Sequence, residues 1–159
     1  MNRTRAIVAV AAILIVAGVV LGVDFWQRSR SAALDAVGIP IYVDGRLADK
    51  FIPADLEEMA TVRFVDAEEG KTQEGWMLRD VLRLRLDGSR LQPETVIVVS
   101  SSSRNRSAEL TWAEVDDPAN MVMFDLSGRG TLKLVSTLER LDVRDEWVQD
   151  VDKIEVRRP

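Results

Sequence analysis

Thr95-Val-Ile-Val-Val-Ser100 is a continuous apolar run bounded by polar residues. It is too short for a buried helix, so it is expected as the central strand of a sheet. Outward from it the chain breaks into similar short pieces. On the N-terminal side, Ile39-Pro-Ile-Tyr-Val43, then Asp44-Gly45, then Arg46-Leu-Ala48 predict a strand, a tight turn and a second short strand. Residues 53–59 predict a short helix, with Pro53 in its first turn and acids where the helix dipole favours them. Residues 61–66 alternate as a strand does. Within 75–82, Leu78, Val81 and Leu82 take the i, i+3, i+4 spacing of one buried helical face, and the helix is expected to end before Asp87-Gly88. On the C-terminal side, residues 110–115, 121–126, 131–135 and 153–157 are strand candidates, separated by Asp116-Asp117-Pro118 and Ser127-Gly-Arg-Gly130. About seven strands and two or three short helices make an α+β domain dominated by sheet.

Residues 6–23 have a different character, 18 positions without a charge in a chain of 159. As a helix they would reach about 27 Å, close to the hydrocarbon thickness of a bilayer. The run is longer than the apolar core of a cleaved signal peptide, and Val-Asp-Phe-Trp follows it in place of a small-residue cleavage site. The expected organisation is a cytoplasmic N-terminus at 1–5, a single transmembrane anchor at 6–26, a linker at 27–38 and an extracytoplasmic domain at 39–159. Arg3 and Arg5 set that orientation, with the anchor in the inner membrane and the domain in the periplasm. Phe25 and Trp26 fall where an interfacial aromatic pair sits. Gly18 and Gly22 form a GxxxG, a spacing that lets a second helix approach closely, although both residues are common in any such segment.

Composition narrows the chemistry. The chain has 21 Lys and Arg, 26 Asp and Glu, and neither Cys nor His. Omitting the first 23 residues takes away two cations and no acid, which leaves a domain of net charge −7. Such a domain repels nucleic acid phosphates, so no nucleic acid partner is expected. Without His or Cys there is no Ser-His-Asp triad, no thiol nucleophile, no c-type haem attachment and no zinc site of the usual N and S ligands. No cofactor, metal or catalytic residue is assigned.

Three segments, in order, carry a resemblance. They are Ala54-Asp-Leu-Glu-Glu-Met-Ala-Thr-Val-Arg-Phe64, Glu74-Gly-Trp-Met-Leu-Arg-Asp-Val-Leu82, and the C-terminal pair Gly130-Thr-Leu-Lys-Leu-Val135 and Trp147-Val-Gln-Asp-Val-Asp-Lys-Ile-Glu-Val156. Together they resemble the sulfite-oxidase-like molybdopterin-binding domain family, over roughly residues 39–157. That resemblance implies the family's β-rich fold and, for its enzymes, molybdenum held by a Cys thiolate and a pterin contacted by His. This chain has neither residue, and its 121–130 segment is short for the Gly/Pro-rich loop of the family. A soft thiolate is not replaced by Ser or Asp without changing the metal chemistry. The implied protein is a cofactor-free relative.

The remaining constellations are weighed against plainer accounts. Ser100-Ser-Ser-Ser-Arg-Asn-Arg-Ser107 follows the central strand, and Ser101, Arg104 and Arg106 are candidate contacts to an anion or to a partner's carboxylates; the plainer account is a solvated loop. The acids at 116–117, 142–146 and 150–152 lack EF-hand spacing, and such runs are usually solvated faces. Trp76, Trp112 and Trp147 are expected in the core. The expected function is a non-catalytic accessory subunit of a larger membrane complex, respiratory or photosynthetic, with an integral membrane partner and the lipid bilayer around it. The alternatives are a molybdopterin-type oxidoreductase with an altered site and a tethered periplasmic domain that binds or senses a small anion.

Overall fold

The computed structural model describes residues 38–126 and 128–159. Among these residues nine strands form two sheets: β1 (Ile39–Val43), β2 (Arg46–Phe51), β3 (Val62–Val65), β4 (Thr72–Met77), β5 (Val96–Ser101), β6 (Arg106–Thr111), β7 (Met123–Leu126), β8 (Leu132–Val135) and β9 (Lys153–Arg157). The first sheet runs β2-β1-β9-β5-β6 and the second β3-β4-β7-β8. All pairings are antiparallel except β1 with β9. Among the described residues helix is confined to α1 (Leu78–Arg85), α2 (Trp112–Asp116) and five short 3-10 turns.

The expected α+β class is therefore corrected to a β-rich, two-sheet domain with few helices. No helix among the described residues is long and apolar enough to cross a membrane. The expected anchor at 6–26, with Gly18, Gly22, Phe25 and Trp26, lies outside the described residues. Two local misreadings explain the shift toward sheet. Residues 75–77 were expected to open a helix, yet Gly75, Trp76 and Met77 pair with β7, and Gly75 also faces Val62 of β3. The helical spacing of Leu78, Val81 and Leu82 holds only from Leu78 onward, where all three are fully buried. The strand expected at 110–115 ends at Thr111, because a capping box turns the chain there into α2. Glu114 N–H donates to Thr111 Oγ1 at 3.3 Å, and Thr111 N–H to Glu114 Oε2 at 2.8 Å.

The inner faces of both sheets supply one core. Ile41, Ile97, Val99, Ile154 and Val156 of the first sheet meet Phe124, Leu132 and Leu134 of the second, with Leu78, Val81 and Leu82 of α1 alongside. Phe51 and Phe124 stack across it with ring centroids 6.0 Å apart. A smaller apolar cluster occupies the other face of the second sheet, where Met77, Met123 and Val135 are covered by Trp147. Trp147 arrives on the segment before β9, which also bridges to β8: Leu134 N–H donates to Val148 O at 2.9 Å, and Val151 N–H to Leu132 O at 2.9 Å. That segment thus closes the edge of the second sheet and carries its side chains to the end of the β5–β6 hairpin.

Candidate functional site: an arginine-rich depression beside an edge strand

The β5–β6 hairpin turns through Ser102-Ser-Arg-Asn105, with Asn105 in the left-handed region (φ 49°) that a short polar side chain tolerates. Asp152 fixes the turn from outside by accepting from the Ser102 N–H at 2.7 Å, while its own N–H donates to Ser100 O at 3.0 Å. Ser101 does not reach the surface: it is 1% exposed, and its hydroxyl lies 3.2 Å from the Ser103 hydroxyl.

The turn projects two arginines. Arg104 Nε donates to Asp150 Oδ2 at 2.6 Å, and Asp150 also accepts from Thr131 Oγ1 at 2.7 Å and faces Arg129 at 3.5 Å. Burial alone would raise the Asp150 pKa, but the Thr131 and Arg104 hydrogen bonds and the Arg129 charge outweigh it and hold the carboxyl below its ordinary value. Arg106 makes no ion pair among the described residues.

The segment before β9 contributes Arg144. Its guanidinium lies 3.1 Å from Glu69 and its N–H donates to Glu68 at 3.1 Å, which ties the β3–β4 turn to the site. Lys71 and Arg144 together hold the Glu69 pKa down. Arg104, Arg106 and Arg144 then line one depression of about 200 Å³, together with Asp145, Trp147 and Gln149. A second depression of about 280 Å³ shares Arg106 and runs along β6 past Ala108 and Glu109, with Arg140 and Glu146 on its far side. Arg140 pairs with Glu114 at 2.7 Å, the largest cause of the lowered Glu114 pKa. Glu146 Oε2 is buried with no hydrogen-bond partner among the described residues.

Of the three candidate contacts from sequence, Arg104 and Arg106 stand at this site, and Ser101 lies beneath it. Arg129, Arg140 and Arg144 were not singled out. They come from segments 20 to 40 residues away, and only the folded chain brings them to the hairpin. A cluster of guanidinium groups is suited to carboxylate or other oxyanion recognition through paired N–H donors. The acidic runs have local partners instead: Asp116 accepts from Arg83 at 2.6 Å, and Asp117 caps the 118–120 turn. No group of three or more acids stands ready for a metal among the described residues.

No protein-family model matches the chain, and no curated protein compared with it is similar to it. The resemblance to sulfite-oxidase-like domains therefore rests on the quoted motifs alone.

Proposed function

We propose that this protein is a non-catalytic interaction subunit that holds its β-rich domain against a partner assembly at a membrane. The reading rests on one observation: Arg104, Arg106 and Arg144 converge on a single depression in a domain of net negative charge. Two of the three are tied to Asp150 and Glu69, which pre-orients them, and Arg106 retains its full capacity for a partner's carboxylate. Pre-orientation lowers the entropy cost of docking. The apolar residues 6–23 supply membrane attachment, and the Arg3 and Arg5 charges favour the periplasmic side for the domain.

The test is the mass of the native assembly, extracted from its own membranes in mild detergent, with every co-migrating chain identified. A large assembly of fixed stoichiometry that is weakened in an Arg106→Glu variant supports the reading. A wild-type protein that runs alone overturns it.

Arg106, without an ion pair among the described residues, also favours a second reading, a tethered anion-binding domain. It predicts that phosphate or sulfate at millimolar concentration raises the melting temperature of the wild-type protein and not of Arg106→Glu. No shift in either protein removes it.

A further inference from the structure

We infer that the free edge of β6 is a strand-addition site, and that its occupant is an extended acidic segment of a partner protein. The inference rests on the interaction-subunit reading and names how the contact is made.

β6 is the last strand of its sheet, and the register with β5 decides which of its backbone groups face outward. In an antiparallel pair, alternate residues point their N–H and C=O toward the partner strand or away from it. Three observations give the same phase. Glu109 O accepts from Arg140 at 3.4 Å, and Arg140 lines the depression beside β6, on the side away from β5. Thr111 N–H, two residues on, is bonded to the Glu114 side chain instead of to β5. Ser100, opposite Ser107, turns its carbonyl toward Asp152 on the β9 side. Ser107 N–H, Ser107 C=O and Glu109 N–H therefore point outward from the sheet, into the depression that runs along β6. Beyond Glu109 the edge is closed by the Glu114 capping box and by Arg140.

The slot has the features that such a strand requires. Ala108 and Leu141 form an apolar floor, and both are buried. Glu146 stands on the opposite wall. At the hairpin end Arg106 also lines the depression that Arg104 and Arg144 share; those two are held by Asp150 and Glu69, whereas Arg106 has no ion pair among the described residues, and this sets the charge of the occupant: an acidic side chain there meets the Arg106 guanidinium. Main-chain hydrogen bonds then supply affinity, and Arg106 supplies direction and specificity.

The test uses the full chain in its native membrane assembly. Ser107→Pro removes the outward N–H together with the hydroxyl, and proline is tolerated at such an edge position; Ser107→Ala, which removes the hydroxyl alone, is the control. The expected result is an association about tenfold weaker for Ser107→Pro and unchanged for Ser107→Ala, at similar melting temperatures. Wild-type association by Ser107→Pro overturns strand addition and leaves the subunit reading standing, whereas a wild-type chain that runs alone overturns both. Should Ser107→Pro fail to fold, hydrogen exchange on the wild type decides the matter. The Ser107 and Glu109 amides must exchange at least about tenfold more slowly in the assembly than in the isolated chain, and equal rates overturn the inference.

Discussion

Lys133 Nζ lies 3.0 Å from Asp125 Oδ2 and 5.0 Å from the centre of the Trp147 ring. β7 and β8 place the two charged residues directly opposite each other, and Gln73 of the neighbouring strand accepts a further hydrogen bond from Lys133 at 2.8 Å. Burial pushes the Asp125 pKa up, and Lys133 offsets only part of that cost. The pair is a polar inclusion in the small apolar cluster under Trp147. Lys133→Met should therefore destabilise the domain by about 1–3 kcal/mol, because it strands a carboxylate with little access to water. The double variant Asp125→Asn/Lys133→Met should recover much of the loss in denaturant unfolding. Additive losses would show that the two residues are not coupled.

Gly75 sits where β4 passes between β3 and β7, and a Cβ there would overlap the Phe124 carbonyl oxygen. Backbone cannot move aside as a flexible side chain can. Gly75→Ala is expected to cost about 3 kcal/mol or more, read as a lowered unfolding midpoint.

Asp150 gives the site its acid dependence. Its folded pKa lies below the ordinary 3.8, so in the acid range the unfolded chain binds more protons than the folded one. The resulting stability is present above that value and is lost as pH falls through the folded pKa. Asp150→Asn should melt lower than wild type at neutral pH, and the gap should narrow below about pH 4. A constant gap across that range would mean that the Arg104 and Thr131 contacts do not depend on charge.

Asp44 and Gly45 both have positive φ, 49° and 75°, in the two-residue turn of the first hairpin. This is the geometry that Asp-Gly favours between antiparallel strands. Gly45→Val should cost about 1 kcal/mol or more through backbone strain alone, since nothing lies within 4 Å of the added carbon. Thermal melting checks it, and an unchanged melting temperature would contradict the turn assignment.

The strands with strong local signals were legible in the chain. Thr95-Val-Ile-Val-Val-Ser100 became β5, with β9 on one side and β6 on the other, and the Asp44-Gly45 turn joins β1 to β2 as expected. β4 was missed. Its Gln73, Gly75 and Met77 face the small cluster and Trp76 packs on the main core, so no single apolar face marks it, and a charged residue at 74 and a glycine at 75 weaken any strand pattern. Thr111-Trp-Ala-Glu114 carried a capping box that was open to reading, but the apolar residues around it suggested a strand.

What the sequence by itself determined was local: the turns, the periodic faces, and the chemistry withheld by a chain with neither Cys nor His. Backbone preference and side-chain spacing act over a few residues, so a few residues suffice to read them. The tertiary structure alone decided that β1 pairs in parallel with β9, that Lys133 meets Asp125 beneath Trp147, and that Arg144 joins Arg104 and Arg106 beside the free edge of β6. Apart from Asp125 and Lys133 on consecutive strands, those contacts join residues far apart in the chain. They are selected by burying one common core, and no short window of sequence contains that information.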